Sequence, residues 1–281
     1  MANEKQKDYW THGVVKKWLH LEAQVEQRFA DINALIMAQA ALKPGEQVLD
    51  IGCGPGTTAL AAASCVGPTG FVRGVDISAP MLDSAQHNAA QAGVKQVEFA
   101  LADAQTDRFT PAFDVLISRF GVMFFDDPLE ALTNLRRSVT SQGRLAFAAW
   151  GPLADNTHWS RPLKIAQDLV GEGAVRPPYA PGPMAFADEA YVQHVFTQAG
   201  WQHVDVRKTR LWLHGASVES EAQMACLLGP SAALLEEKKA SAALYEQARA
   251  LFREALPDYA EVLPDGCVRL PATLNMITAQ A

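Results

Sequence analysis

The sequence predicts an α/β fold built on a doubly wound parallel sheet, and three observations predict it. Short apolar runs alternate with helical patterns between Glu46 and Trp150. A glycine-rich turn, Gly52-Cys53-Gly54-Pro55-Gly56, joins the first apolar run to the first of those helices. Aspartates close three successive runs, at Asp50, Asp76 and Asp103. Repeated βα units of this length imply parallel strands, and such sheets bind ligands in the crevice outside the carboxyl ends of their strands.

The elements follow in chain order. From about Tyr9 to Leu42 the spacing is helical: Val14, Trp18, Leu21, Val25, Phe29, Ile32 and Ile36 recur every three or four residues, while Lys16, Lys17, Glu26 and Arg28 fall elsewhere. Gln47–Ile51, Phe71–Val75, Val97–Leu101, Phe113–Ile117 and Arg144–Trp150 read as buried strands, with helices at Thr57–Val66, Ala79–Ala92 and Pro128–Val139. Asp127-Pro128 has the form of an N-cap followed by a first-turn proline. Gly171 to Ala187 holds four prolines and three glycines and reads as a loop. Beyond it a helix is expected at Asp188–Ala199 and a strand at Val204–Leu213. Two helices then follow, Val218–Leu228 and Ala232–Leu256, split by Gly229-Pro230-Ser231. Val268–Thr278 reads as a last strand, with a bulge or irregularity at Pro271.

Composition narrows the function. Of 281 residues 49% are hydrophobic, enough for a buried core, and the formal net charge is −7. An acidic chain whose basic runs stop at pairs (Lys16-Lys17, Arg136-Arg137, Lys238-Lys239) does not offer a nucleic-acid surface. Four cysteines, Cys53, Cys65, Cys226 and Cys267, form no CxxC pair, so neither a disulfide framework nor a zinc site is expected. The start of the chain is polar, and no window carries the ~20 apolar residues of a membrane span. A cytoplasmic protein acting on a small molecule, without membrane insertion, is the expectation.

The turn after the first strand carries most of the chemistry. Glycines allow backbone angles closed to other residues and let a ligand approach the main chain. The dinucleotide fingerprint is G-x-G-x-x-G, whereas here the third glycine comes one place earlier and an acid precedes the first. Asp76, at the end of Gly74-Val75-Asp76, can accept hydrogen bonds from two ribose hydroxyls. Taken singly, Asp50, Asp76 or Asp103 also has the character of a helix cap or loop acid; together they face one crevice.

The stretches VLDIGCGPGTTAL, GVDISAPML, ALADAQ, FDVLISRFGVMFFDDP and GRLAFAAW, in this order and spacing from Pro44 to Trp150, resemble the class I S-adenosylmethionine (SAM)-dependent methyltransferases. The subgroup they are most similar to is that of the ubiquinone/menaquinone-biosynthesis methyltransferases. The resemblance implies a Rossmann-like, seven-stranded sheet of order 3-2-1-4-5-7-6, last strand antiparallel, with a helical cap. It implies SAM as cofactor and S-adenosylhomocysteine (SAH) as product. It places Asp50, Gly52, Gly54 and Gly56 under the methionine part of SAM and Asp76 at the ribose, with Ile77 and Met81 against adenine or ribose. Asp103 and Ala104 fall at the adenine edge, and Ser118 and Arg119 near the amino-acid end.

The rest of the chain is read around that core. One domain over 1–281 is expected, its core at about 38–150, 188–214 and 266–281. Lid helices occupy about 9–37, with Tyr9, Trp10 and Trp18 over the site, and a substrate cap occupies about 151–187 and 216–264. Phe120, Met123, Phe124 and Phe125 follow the fourth strand, Trp150 and Trp159 flank the exit of the fifth, and Tyr179 and Phe186 sit in or beside the proline-rich loop. As a group they point to a hydrophobic or aromatic substrate.

No motif names a catalytic base. His12, His20 and His158 lie in or near the lid and cap segments, and each is also compatible with an ordinary surface or packing role. Asp126-Asp127 needs no metal, since N-cap formation accounts for Asp127, and the cysteines lack the set expected of arsenic methyltransferases. The leading reading is methyl transfer from SAM to an O, N or C nucleophile by in-line displacement. Two alternatives stand beside it: a protein that senses or retains SAM without transferring methyl, and a nicotinamide-dependent oxidoreductase, against which the glycine spacing speaks.

Overall fold

The computed structural model describes residues 3–110 and 112–281. Met1 and Ala2, part of the polar start of the chain, and Pro111 lie outside the described residues. Strands β1 (Gln47–Ile51), β2 (Phe71–Asp76), β3 (Val97–Leu101), β4 (Phe113–Arg119) and β5 (Val139–Trp150) form the parallel part of one mixed sheet. β6 (Gln202–Gly215) and β8 (Val268–Gln280) complete it, giving the order β3-β2-β1-β4-β5-β8-β6. β8 runs antiparallel to both β5 and β6. The expected topology is therefore observed, with one addition: the two-residue strand β7 (Glu261–Val262) pairs with β8 and raises the count to eight.

The central strands are apolar on both sides because helices cover both faces. Val48, Leu49, Val115, Leu116 and Ile117 are fully buried. Helices α5 (Thr57–Val66), α6 (Ala79–Ala92) and α7 (Pro128–Arg136) follow β1, β2 and β4. α7 starts as its sequence predicts: Asp127 accepts the Glu130 N–H at 2.9 Å, with Pro128 in the first turn. α9 (Glu189–Gln198) is capped by Asp188, which accepts from Ala190 and Tyr191.

Several elements differ from the sequence reading. The N-terminal segment is not one helical run. It comprises α1 (Glu4–Asp8), a π-turn (Tyr9–Gly13), α2 (Val15–His20), α3 (Glu22–Arg28) and α4 (Ala30–Ala40). The breaks at Leu21 and Phe29 turn these buried side chains inward as the chain wraps the sheet. Arg28, set apart from the apolar stripe by its spacing, is only 6% exposed, because a partner far along the chain neutralises it. The expected helix Ala232–Leu256 is two, α11 (Pro230–Glu237) and α12 (Ala242–Ala255), separated where Lys239 takes a φ of 50°. Pro271 causes no bulge. It pairs opposite Trp212 in unbroken register, and the β6 irregularity lies instead at 202–205.

A helix absent from the sequence reading, α8 (Thr157–Val170), contains Pro162, which removes an internal hydrogen bond and hides the pattern. Its apolar stripe packs with α10 (Val218–Leu227), α11 and α12 around a second small core of Ala166, Ala222, Leu234, Leu235, Ala248 and Phe252. This group of helices stands over the carboxyl ends of the strands beside α1–α3.

Candidate active site

A single cavity of about 1070 Å³ opens at those strand ends. Its first lobe is built by backbone. Gly52 (φ +64°) and Gly54 (φ +53°) hold the turn after β1 in left-handed conformations. A Cβ on Gly52 would stand 2.7 Å from Cα of Gly121, so the turns after β1 and β4 touch backbone to backbone. A Cβ on Gly54 would meet no atom within 4 Å, because that residue faces the cavity.

Asp76 lines this lobe. Its Oδ2 accepts the Gly54 N–H and its Oδ1 the Ser78 N–H, each at 2.9 Å. A carboxylate offers about four acceptor positions, so some remain for a ligand diol. Burial raises its pKa, and the Gly54, Ser78 and Ile77 amides oppose that shift. The side chain keeps some surface, but that surface faces the cavity rather than bulk water.

Asp50 lies just behind the wall, fully buried, and neither of its oxygens makes a well-formed hydrogen bond. Burial pushes its carboxyl up to about 7, with Asp76 and Glu26 adding to the rise and Arg119 and the Ala59 amide opposing it. A carboxyl raised in the folded state holds a proton that the unfolded chain has lost. Stability should therefore fall as pH rises from about 4 to about 7, then level off. Asp50→Asn is expected to flatten that slope in urea unfolding measured from pH 4 to 8. An identical slope in the variant would locate the titration elsewhere.

The roof of this lobe is latched to its rim. The Asn3 side chain donates to Asp103 Oδ1 at 2.8 Å. The Asn3 N–H meets Asp126 Oδ2 at 2.8 Å, and the Asp126 N–H returns to Asn3 Oδ1 at 2.7 Å. The Ser78 hydroxyl donates to the Trp10 carbonyl at 2.7 Å. Asp126, free of any metal role in the sequence reading, thus fastens the roof.

The second lobe is aromatic. Trp10 meets Phe124 and Trp18 edge-on, Trp18 leads to Phe29, and Phe29 leads to Phe120. Phe120 stacks flat on Trp150, centroids 4.4 Å apart, and Trp150 lies 4.5 Å from Trp159. Met123 supports this wall through its sulfur, which accepts the Trp150 N–H at 3.3 Å. At its far end stand His158, Arg28, Glu221 and Tyr259. Arg28 and Glu221 form a buried ion pair. Burial lowers the Arg28 pKa to about 10 and raises the Tyr259 hydroxyl to about 12.

Of the predicted cofactor residues, Gly52, Gly54, Asp76, Ile77, Met81, Asp103, Ala104 and Arg119 line the cavity. Asp50, Gly56 and Ser118 do not. Gly56 is the N-cap of α5, and Ser118 is fully buried, its hydroxyl donating to the Ile51 carbonyl at 2.8 Å. Arg119 reaches the cavity with its charge already engaged: it forks onto Glu26 at 2.6 and 2.7 Å and meets Asn33 at 3.0 Å. Tyr9, Trp10, Trp18, Phe120, Met123, Phe124, Trp150, Trp159 and Tyr179 all line the cavity. Among the histidine candidates His158 lines it, whereas His12 and His20 are exposed. Sequence reasoning missed Arg28, Glu221 and Tyr259, for which no local signal exists.

Comparison with known proteins agrees with this fold. A family described as "Methyltransferase domain" matches residues 42–173. Aklanonic acid methyltransferase DauC of Streptomyces sp. strain C5 is 36% identical over 106 residues, 37% of this chain and 48% of the relative. The ubiquinone/menaquinone biosynthesis C-methyltransferase UbiE of Ralstonia pickettii is 40% identical over 122 residues, 42% of this chain and 50% of the relative. The chain thus spans about half the length of the curated relatives it matches. Among solved structures, the YcgJ protein of Bacillus subtilis shares the fold, with a TM-score of 0.57 and 18% identity over 89% of this chain and 98% of that one.

Residues 42–173 match a methyltransferase domain. Over that stretch the chain resembles a ubiquinone/menaquinone-biosynthesis enzyme. Among the described residues no helix is long and apolar enough to cross a membrane, and no group of His, Cys, Asp and Glu is placed to hold a metal.

Proposed function

We propose that the whole chain transfers the methyl group of SAM to an oxygen, nitrogen or carbon nucleophile of a small, hydrophobic or aromatic metabolite. The observation that carries this reading is the continuity of the cavity. One cavity is bordered by Gly54, Asp76 and Asp103 and also by Trp150 and His158. At about 1070 Å³ it reaches the upper end of the roughly 300–1,000 Å³ usual for one ligand, which leaves room for cofactor and acceptor together.

SAM supplies a methyl group already activated on a sulfonium. The chain's own residues supply position and dryness. Asp76 would accept from the ribose diol, Asp103 and Ala104 would flank the adenine, and the open face at Gly54 would take the methionine portion. The buried Asp50 carboxyl behind the turn is a fitting neighbour for a cationic ligand, whose charge would favour its ionised form. The aromatic wall would hold a planar acceptor in line with the methyl group, and alignment alone can be worth effective molarities of ~10⁵ M or more.

The test is transfer of label from methyl-labelled SAM into a metabolite library incubated with the full chain. No labelled product, with SAH binding intact, would leave a SAM-retaining protein. Asp76→Ala is expected to weaken SAH binding by about 1–3 kcal/mol in calorimetry, the cost of losing hydrogen bonds to a charged group. Unchanged affinity in the folded variant would remove Asp76 from the site.

A further inference from the structure

The far end of the aromatic lobe carries hydrogen-bond donors that the protein itself leaves unused. Arg28 and Tyr259 both line the cavity and are 6% and 9% exposed. Arg28 spends one nitrogen, Nη1, on Glu221, while its Nε and Nη2 have no partner among the described residues. The Tyr259 hydroxyl has none there either. The ring nitrogens of His158 are sealed without partners, whereas these three donor atoms keep surface of their own. His158, packed between Trp150 and Trp159, therefore contributes to the wall and offers a ligand no hydrogen bond. Donors at the wall of a cavity are costly to leave dry and unpaired, and a ligand commonly completes them.

We propose that Arg28 and Tyr259 form a two-donor subsite that anchors a carbonyl oxygen on a planar, apolar substrate. This rests on reading the cavity as a cofactor-and-substrate site. Both groups are donors at pH 7. Burial lowers Arg28 to about 10, which leaves the guanidinium protonated. Burial raises Tyr259 to about 12, with the Arg28 and Arg161 charges opposing and Asp258 adding to the rise. The two side chains are close enough for each to act on the titration of the other. Glu221 balances the Arg28 charge through Oε2 without occupying the remaining N–H groups. Its Oε1 packs against Gly215, where an added Cβ would stand 2.5 Å from it. Arg161 is exposed and does not line the cavity, so solvent screens its charge. The floor thus presents polarised donors with little net charge. A carbonyl oxygen suits it: it accepts two hydrogen bonds, the one from the guanidinium being the stronger, and it brings no charge to be desolvated. A hydrocarbon group of the same shape would leave both donors unpaired.

The experiment uses the full chain saturated with SAH and two probes of one shape, measured by equilibrium dialysis at pH 7. One is methyl 2-naphthyl ketone; the other is 2-isopropenylnaphthalene, in which a CH₂ group replaces the carbonyl oxygen. The ketone is expected to bind about tenfold to a hundredfold more tightly than the hydrocarbon. Tyr259→Phe should cut that ratio about threefold to tenfold while leaving hydrocarbon binding unchanged. Arg28→Met combined with Glu221→Leu, which exchanges the whole ion pair for apolar side chains, should bring the ratio close to one. If the double variant does not fold, Tyr259→Phe alone decides. Equal binding of the two probes, a ratio that Tyr259→Phe leaves unchanged, or no ketone binding to a folded, SAH-saturated protein would each overturn the assignment. Calorimetry with SAH is read separately, so a failure of cofactor binding, which would strike the proposed function, is not confused with a failure of this subsite.

Discussion

Replacing Arg28 by methionine should destabilise the protein by about 3–5 kcal/mol, the usual cost of leaving one member of a buried pair alone. Arg28 and Glu221 are 6% and 4% exposed, so water cannot take over when the partner is removed. The pair joins α3 to α10 across 193 positions of sequence, and its loss would loosen the lobe from both sides. The double replacement Arg28→Met with Glu221→Leu should recover most of the loss, because a buried pair exchanged for apolar side chains of similar volume is often neutral. Urea unfolding of the wild type, both single variants and the double variant checks this. A single-variant cost below about 1 kcal/mol, the range of exposed pairs, would show that water reaches the site.

Gly52→Ala and Gly54→Ala should part company although they lie two residues apart. At Gly52 the added Cβ meets the Gly121 backbone at 2.7 Å in a left-handed conformation, and no side chain is there to swing aside. Strain and overpacking together should cost about 2–5 kcal/mol and abolish measurable SAH binding. At Gly54 the φ of +53° also strains an alanine, by about 1–2 kcal/mol, but the Cβ enters open space and meets no backbone. That variant should melt within a few degrees of the wild type yet bind SAH at least about tenfold more weakly, since the methyl group occupies ligand space. Thermal melting paired with calorimetry separates the two effects. Equal destabilisation in both variants would mean that the turn is supported differently from the contacts described.

The contrast between these sites explains what could be read from the sequence. The cofactor lobe is encoded locally: a buried strand, a glycine turn and an acid at the next strand end sit within thirty residues, and each obeys a backbone rule. Even there Gly121 escaped notice, because the need for a glycine arises from a turn that touches it from another strand. The family resemblance places Ser118 near the ligand, yet its hydroxyl is absorbed by the Ile51 carbonyl. The substrate lobe is encoded by distance. Arg28 looks like a surface residue until Glu221 reaches it, and His158 sits on a helix that Pro162 conceals. The aromatic residues were visible as a group because size and apolarity need no partner to be recognised. A buried charge has no such signature.

The latch at Asn3 bears on how quickly the cofactor can be exchanged. Three hydrogen bonds to Asp103 and Asp126, and a fourth from Ser78 to the Trp10 carbonyl, hold the roof down through protein contacts alone. Opening is thus a step that the molecule must take by itself, before a ligand arrives as well as before one leaves. A barrier placed on both directions of traffic slows association and dissociation together and leaves the equilibrium constant where the floor contacts set it. On the proposed reading, residence time and affinity become separate properties, the first set by the hydrogen bonds at Asn3 and Ser78 and the second by the groups beneath them.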